Sequence, residues 1–494
     1  MLTYNNLMLT VNNVKKMENI FAGVKRININ PPIGIKRPGI RLFADPIQSI
    51  ESDLTATALV LKHNDNKIAI IACDLAFIPI EVDKNWREII GKEIGTKRSH
   101  IMINCSHTHS GPAFPSWIEE DPEQMRVQEK YQENLMNKLL NVVKLANENL
   151  VECRIGADFG HVVIGMYRRE TGEDGRDILG EVPEAPIDPS VGVVRVDDTF
   201  GNNLVTLFSY GCHPVTMGPR SMLASSDYPG AARDIVENTL GGLSMFLQAC
   251  GGNINPIYGI GYEVDCRDTK NRTGHILGSE VVKVASNIRT NMKLGKRKPL
   301  GNIPNIKFRA WDPVDDTNKH EIKALEKTLG LDFIDLPPLA EAEEIHNEWK
   351  NKLTESIKND AKDWEISVAK RFTKWSSNLL QAIRNNNPPL EVIIQAFKID
   401  EIVFSSISME SFFETGIKIK NRSPFKHTQV LGYTNGTAGY LPRAEDFPKD
   451  GWKITERYAV PDLFFQSYSL PTAIKPESEE KVVDELSNLI LQLK

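Results

Sequence analysis

Short apolar runs alternate with amphipathic stretches along the whole chain. Two such runs, 54–61 and 67–74, flank a polar turn and predict a pair of adjacent strands. In 124–149 the apolar residues recur at helical spacing, which predicts a long amphipathic helix. Further buried strands are predicted at 100–105, 204–210, 244–248 and 402–408. Because strands and helices mix from end to end, we predict an α/β fold.

The domain organisation follows from the same pattern. We find no repeat, low-complexity tract or linker that divides the chain, so we predict a single domain over 21–494. The preceding segment 1–20 is expected to be loose, since the globular pattern begins at Phe21. The stretch 302–387 is a candidate helical insertion, because its second half reads as one broken or two consecutive charged amphipathic helices. We expect no C-terminal Ig-like domain.

Composition and charge narrow the class of partner. Of the 494 residues 41% are hydrophobic, and the net charge is −6 with both signs interspersed, so we do not expect nucleic acid to bind. No window approaches the roughly 20 consecutive apolar residues of a membrane span, so integral membrane association is not expected. The N-terminus lacks the features of a secretory signal, and the six cysteines form no CxxC pair. We therefore predict reduced thiols and a cytoplasmic protein.

The first candidate metal-binding or catalytic residues lie at the end of the strand predicted at 100–105. The string Asn104-Cys105-Ser106-His107-Thr108-His109-Ser110-Gly111-Pro112 follows it directly. In an extended backbone His107 and His109 would project to the same side. Two converging imidazoles suit one zinc ligand beside a neighbour that is a second ligand, a base or a group that orients the substrate.

A third histidine follows another buried strand. His213 lies in Tyr210-Gly211-Cys212-His213-Pro214-Val215, where the chain also breaks into a Gly/Pro-rich loop. In open α/β folds, sites gather beyond the carboxyl ends of strands. This second histidine-bearing strand end strengthens the prediction of a metal site. Asp227 and Asp74 are candidates for orienting the histidine rings.

These motifs resemble those of the neutral (non-lysosomal) ceramidase family. The similar strings are His107–Pro112, Gly211–Val215, Ser226-Asp227-Tyr228-Pro229-Gly230 and the late block Asn435–Pro442, in matching order. The resemblance runs from about Phe21 to the C-terminus and is thin in 302–387. It implies mixed β-sheets layered with helices, as in a ceramidase catalytic domain.

The resemblance also implies one zinc ion held by two histidines, a glutamate and a tyrosine. These fall on His107, His213, Glu410 and Tyr440, with Glu414 as the rival glutamate. Another divalent ion is the alternative to zinc. The residues implied to hold or polarise the substrate are His109, Arg168 and, as an oxyanion donor, Tyr458.

One motif departs from the family. Where ceramidases carry Gly-Asp-x-Ser-Pro, this chain has Gly252-Asn253-Ile254-Asn255-Pro256. An amide nitrogen is not a competent nucleophile, so a covalent serine mechanism is excluded at Asn255. Asn255 could still donate a hydrogen bond to a developing oxyanion. Attack by metal-activated water is the route that remains.

The sequence therefore predicts a zinc-dependent hydrolase, an amidohydrolase that cleaves a linear amide of a small soluble metabolite. Two alternatives are a lactone or ester hydrolase and a catalytically inactive ligand-binding relative. A third is a βα-barrel amidohydrolase, whose signature also begins with His-x-His, although the later histidines do not follow convincing strands.

Overall fold

The computed structural model describes residues 19–37, 46–112, 114, 122–173, 177–260, 265–314, 320–447, 465, 468 and 470–494. The segment 1–20, predicted to be loose, lies outside these residues except for its last two. Ile20, the last residue of that segment, is buried and begins the first strand.

The strands of the described residues are β1 (Ile20–Asn28), β2 (Ser49–Ile50), β3 (Thr55–His63), β4 (Asn66–Cys73), β5 (Ile101–Cys105), β6 (Val151–His161), β7 (Gly165–Thr171), β8 (Asp177–Val182), β9 (Ser190–Asp198), β10 (Asn203–Tyr210), β11 (Leu223–Ala224), β12 (Leu243–Gln248), β13 (Ile254–Pro256), β14 (Met292–Leu300), β15 (Ile303–Pro313), β16 (Ile322–Leu331), β17 (Leu390–Ile399), β18 (Ile402–Ile407), β19 (Glu410–Ser411), β20 (His427–Leu431) and β21 (Tyr440–Leu441). The α-helices are α1 (Ile80–Ile94), α2 (Pro122–Glu148), α3 (Asp227–Leu240), α4 (Arg267–Asn287), α5 (Leu339–Lys358), α6 (Asp363–Arg384), α7 (Phe413–Arg422) and α8 (Ser478–Leu491).

Two sheets form the centre of the fold. The larger has eight strands in the order β12-β10-β9-β6-β1-β3-β4-β5, and only the β4/β5 and β10/β12 pairs are parallel. The strand pair predicted at 54–61 and 67–74 is the antiparallel pair β3/β4. The smaller sheet has the order β16-β17-β18-β20. Because most neighbours are antiparallel, the βα-barrel alternative is wrong and the predicted mixed α/β fold is confirmed.

Helices cover one face of the larger sheet. Val60, Ile71 and Ile103 point to this face and pack against α1 and α2. Toward the other end of the sheet, Phe208 and Phe246 pack in the same way against α3 and α4. The helix predicted at 124–149 is therefore α2, and its apolar face is buried as its spacing indicates.

The second face of the larger sheet packs on the smaller sheet. Leu61 and Leu207, which alternate with the helix-facing residues, share an apolar cluster with Phe397 and Phe404 of β17 and β18. The outer face of the smaller sheet is covered by α8 through a further apolar cluster. The result is a stack of helices, sheet, sheet and helix.

The stretch 302–387 contains strands as well as the helices predicted from its charge pattern. The predicted pair of helices corresponds to α5 and α6, where Trp349 stacks on Phe372 with ring centroids 4.3 Å apart. Before them come β15 and β16, and β16 pairs with β17 of the smaller sheet. This part of the chain is thus joined directly to the core.

The structure also bears on the predictions about membrane-spanning segments and cysteines. None of the helices among the described residues is both long enough and apolar enough to cross a membrane. All six cysteines are buried, and none of them forms a disulfide within the part of the chain that the structure describes.

Candidate metal centre

The site lies where the ends of several strands meet. Asn104, at the end of β5, accepts a hydrogen bond from the backbone N–H of Gln248 at 2.8 Å. Its amide nitrogen donates to the carbonyl oxygen of Gly432, just after β20, at 3.0 Å. One buried side chain therefore joins the ends of β5, β12 and β20, and the loops that leave these strands share one space.

His107 leaves β5 in an unusual backbone conformation. The strand ends at Cys105, and His107 has a φ of 66°, in the left-handed region. Its backbone N–H donates to Leu75 at 2.9 Å, and its Nδ1 lies 2.7 Å from the carbonyl oxygen of Ala76. Nε2 lies 3.1 Å from Nε2 of His109. The two rings do meet, but through this turn and not through the strand alternation that the sequence suggested.

His213 reaches the same space from the end of β10. It is fully buried, its backbone N–H donates to Ile254 at 3.0 Å, and its Nδ1 lies 3.0 Å from the carbonyl oxygen of Gly251. A Cβ atom on Gly251 would lie 2.6 Å from the carbonyl carbon of Gly211. Glycine is therefore needed for the close approach that brings this carbonyl onto the ring.

Glu410 brings a carboxylate to the two histidines. It lies in β19, directly beyond β18, and pairs with Tyr440 of β21. Its Oε2 is 3.2 Å from Nε2 of His213 and 3.5 Å from Nε2 of His107. The residues predicted as metal ligands at 107, 213 and 410 are thus side by side.

Two tyrosines that the sequence did not single out also contact this carboxylate. Tyr433 donates to Oε2 of Glu410 at 3.2 Å, and Tyr468 donates to Oε1. The available signal for Tyr433 was its place after the buried strand β20, the same arrangement that drew attention to His213. Tyr468 carried no such signal, because it follows no predicted strand.

The rival glutamate has different partners. Glu414, in α7, accepts a hydrogen bond from Nδ2 of Asn253 at 2.8 Å and pairs with Arg443 at 3.0 Å. Oδ1 of Asn253 accepts the backbone N–H of Phe413 at 3.1 Å. Asn253 therefore joins the β12–β13 loop to α7, and Glu410 is the glutamate that the fold places beside the histidines.

Burial and hydrogen bonding set the protonation of these groups. Burial lowers the pKa of His107 and of His213 to about 4, so both rings are neutral at pH 7. Burial alone would raise the pKa of Glu410, whereas the hydrogen bond that its carboxylate accepts from the hydroxyl of Tyr468 lowers the pKa. The carboxylate is therefore ionised.

The tautomers follow from the backbone contacts. Nδ1 of His107 and Nδ1 of His213 each face a carbonyl oxygen, which can only accept, so each Nδ1 carries the hydrogen. Each Nε2 then presents a lone pair toward the anionic Glu410. A cluster of buried acceptors with no hydrogen between them is the arrangement that a cation satisfies.

The distances also fit a shared ion. Ligand atoms about 2.0–2.2 Å from a tetrahedral zinc ion lie about 3.3–3.6 Å from one another. The separations of 3.2 and 3.5 Å between Glu410 and the two Nε2 atoms are close to that range. In addition, His107, His109 and His213 each offer a nitrogen within 4.8 Å of the others. This histidine group could hold a metal ion.

Arg168 lies on the other side of the cluster, in β7. Its guanidinium is buried and donates to Oδ1 of Asn255 at 3.1 Å, to the carbonyl oxygen of Gly252 at 2.6 Å and to the hydroxyl of Tyr440 at 3.0 Å. Asn255 thus uses its oxygen on Arg168 and keeps its NH2 group as a donor. The structure brings these three predicted residues together.

Three further residues were predicted to belong to the site: Tyr458 as an oxyanion donor, and Asp227 and Asp74 as partners of the histidine rings. Tyr458 lies outside the described residues. Asp227 accepts from the Thr216 hydroxyl at 2.5 Å, and Asp74 pairs with Arg233 at 2.7 Å. Neither aspartate is the partner of a histidine Nδ1, which faces a backbone carbonyl in both rings.

Comparison of the sequence with known proteins gives distant matches. No protein-family model matches the chain. Neutral ceramidase A of Dictyostelium discoideum is 22% identical over 192 residues, which are 36% of this chain and 27% of that protein. Neutral ceramidase B of the same organism is 20% identical over 234 residues, 43% of this chain and 32% of that protein. The matched segments are thus about a third or less of the relatives' own length.

Comparison of the structure covers nearly the whole chain. The crystal structure of the neutral ceramidase from Pseudomonas aeruginosa matches with a TM-score of 0.65 at 15% identity, over 97% of this chain and 75% of that one. A ceramidase complexed with C2 matches with a TM-score of 0.64 at 14% identity. The resemblance inferred from the motifs is confirmed, and the protein has a neutral ceramidase-like fold.

Proposed function

We propose that the protein is a divalent-metal-dependent hydrolase that cleaves a linear amide of a small soluble metabolite, with zinc as its metal. The observation that carries the proposal is the convergence of two imidazoles on one carboxylate: Nε2 of His213 and Nε2 of His107 lie 3.2 and 3.5 Å from Oε2 of Glu410. Nitrogen ligands with a carboxylate oxygen are the donor set that zinc prefers in catalytic sites.

The similar proteins support amide chemistry. They are named as ceramidases, and ceramide is an N-acyl amide. Since the sequence matches cover only part of those relatives, their activity is extended to this chain as a proposal and not as an inherited property. We also propose a cytoplasmic setting, in which the six buried cysteines would stay reduced.

The metal would be held by His107, His213 and Glu410, with the phenol of Tyr440 as the fourth ligand. A bound divalent cation supplies Lewis acidity, which lowers the pKa of water and polarises a carbonyl. The chain's own contribution is to keep both imidazoles neutral and Glu410 ionised, so that the ligands are ready at pH 7.

The remaining residues would hold the substrate. Arg168, which donates hydrogen bonds to Gly252 and Asn255, would polarise the scissile carbonyl, and the NH2 group of Asn255 would donate to the developing oxyanion. His109 lies close enough to His107 either to orient the substrate or to act as a further ligand. We assign Tyr458 as an additional oxyanion donor.

The substrate proposal depends on Asn255. An amide side chain here cannot form an acyl-enzyme, so hydrolysis would proceed by direct attack of activated water. Because this position differs from the serine of ceramidases, we propose an amide smaller than ceramide. A lactone or ester is the alternative substrate, since water attack on either carbonyl would use the same groups.

Metal content and amide cleavage test the proposal together. The purified protein is stripped with a chelator, reloaded with zinc, analysed for metal and assayed for amine release on a panel of short N-acyl amides. We expect one zinc per chain and zinc-dependent cleavage, and we expect His107→Ala and His213→Ala to lose both. The matched control is His346→Ala on α5, a histidine that bonds Ser376 at 3.1 Å and should keep both properties.

The same assay separates the alternatives. Cleavage of lactones or esters without amides would overturn the substrate class but leave the metal centre intact. Stoichiometric zinc without turnover on any part of the panel would favour a ligand-binding protein. Full activity of His213→Ala would refute the assignment of the site.

A further inference from the structure

The strands β14 and β15 form a two-stranded ribbon with an exposed apolar surface. Of the nineteen large hydrophobic side chains that are exposed among the described residues, six lie in these two strands: Leu294, Leu300, Ile303, Ile306, Phe308 and Trp311. Phe308 is 64% exposed and Leu300 is 56% exposed. An exposed cluster of this kind indicates an interaction site.

The ribbon is also strongly basic. Between Met292 and Pro313 there are six basic residues and one acidic residue, a net charge of +5 in a chain whose net charge is −6. The basic residues are Lys293, Lys296, Arg297, Lys298, Lys307 and Arg309. The even mixture of charges inferred from composition therefore does not hold locally, and the ribbon has the opposite sign to the rest of the molecule.

The tip of the ribbon is apolar, basic residues follow directly behind it, and a second apolar pair, Leu294 and Trp311, lies at its base. Leu300 and Ile303 pair across the turn and form the tip. Behind them, Lys298 pairs with Phe308 and Arg297 pairs with Arg309. At a rise of about 3.3 Å per residue, these basic groups lie within about 10 Å of the tip. An apolar end with basic groups just behind it matches the depth profile of a bilayer interface.

Other occupants fit the ribbon less well. Pairing with a second ribbon would place basic residues against basic residues, and Pro299 and Pro304 interrupt the hydrogen-bonding edges needed for strand addition. Nucleic acid would bind the basic groups but would offer no apolar contact to the aliphatic tip formed by Leu300 and Ile303. An acidic, partly apolar surface satisfies both sets of side chains.

We propose that this ribbon binds the surface of an anionic phospholipid bilayer, with the tip in the interface and the basic residues on the headgroup phosphates. The contact is peripheral, so it requires no membrane-spanning helix. It is also independent of the metal centre, because none of the ribbon's residues contributes to the site described above.

Vesicle binding of the full chain tests the proposal. Co-sedimentation is measured with vesicles of phosphatidylcholine alone and of phosphatidylcholine mixed with phosphatidylserine. We expect binding only to the mixed vesicles, weakening as salt is raised. The triple variant Lys296→Gln/Arg297→Gln/Lys298→Gln should bind about 100-fold more weakly, because each basic residue near an anionic surface strengthens binding about 5-fold. The tip variant Leu300→Ser/Ile303→Ser should also lose affinity.

The control removes the same charge from elsewhere on the surface. Lys92→Gln/Lys130→Gln/Lys426→Gln changes three exposed lysines outside the ribbon and should bind the mixed vesicles as the natural chain does. Equal binding to neutral vesicles, or equal loss in the control and ribbon variants, would overturn the proposal. Normal vesicle binding by the tip variant would also overturn the proposal. Preferential binding of an RNA oligonucleotide would assign the surface to nucleic acid instead. Unchanged melting curves and zinc content verify that each variant is folded.

Discussion

The hydroxyl of Tyr433 donates a hydrogen bond to Oε2 of Glu410 at 3.2 Å. The ring of the same tyrosine packs on the imidazole of His107, with centroids 4.3 Å apart. One side chain therefore contacts two of the proposed metal ligands, which come from distant parts of the sequence. Its backbone φ of 52° lies in the left-handed region, so the turn after β20 holds a strained conformation to place it there.

Replacing Tyr433 with phenylalanine should weaken metal binding without removing it. The ring contact with His107 remains, but Glu410 loses a donor that orients its carboxylate. Loss of such an outer hydrogen bond lowers metal affinity about 10- to 100-fold, which a zinc-competition titration would measure. The matched control is Tyr131→Phe, which removes a buried hydroxyl bonded to Ile29 at 2.6 Å, away from the site. Equal zinc affinity in the two variants would show that Tyr433 has no orienting role.

Replacing Arg168 with lysine should lower turnover while the metal stays bound. A lysine carries the charge but cannot donate to Asn255, Gly252 and Tyr440 at once, so the group that faces the carbonyl would lose its position. We expect kcat/KM to fall about 100-fold, as when an oxyanion donor is removed. Arg195→Lys, on β9, serves as the control. A normal rate in Arg168→Lys would mean that this guanidinium does not act on the substrate.

The metal-free protein should lose stability as the pH falls from about 6.5 to about 4. Over this range an unfolded histidine takes up a proton, whereas His107 and His213 have pKa values lowered to about 4 by burial and remain neutral. Because the unfolded chain binds more protons, acid favours unfolding, by on the order of 3 kcal/mol for each histidine. Urea unfolding across this pH range measures the effect. The slope should be shallower in His213→Ala, and an equal slope would contradict the buried neutral state.

Much of the site could be predicted because it depends on strand ends. His107 and His213 each follow a short buried strand and precede a Gly/Pro-rich loop, a pattern visible without the structure. The resemblance to ceramidases placed Glu410 and Tyr440, and the fold brings Glu410 to the histidines and Tyr440 to Arg168. Local sequence therefore predicts which side chains are available for the site and where the chain turns.

The rest depends on contacts between remote segments. The partners of His107 and His213 are backbone carbonyls at Ala76 and Gly251, and a carbonyl has no signature in the sequence. Asp74 and Asp227 were reasonable candidates by residue type, yet tertiary packing commits them to other partners. The exposure of the basic ribbon could not be predicted for the same reason. It depends on β14 and β15 pairing only with each other among the described strands.

Diffraction from a crystal grown with zinc, measured at the zinc absorption edge, tests the shared metal site. We expect one anomalous peak per chain, about 2.0–2.2 Å from Nε2 of His107, Nε2 of His213 and Oε2 of Glu410. A fully ordered site with no peak between these atoms, or a peak bound only by other residues, would contradict it.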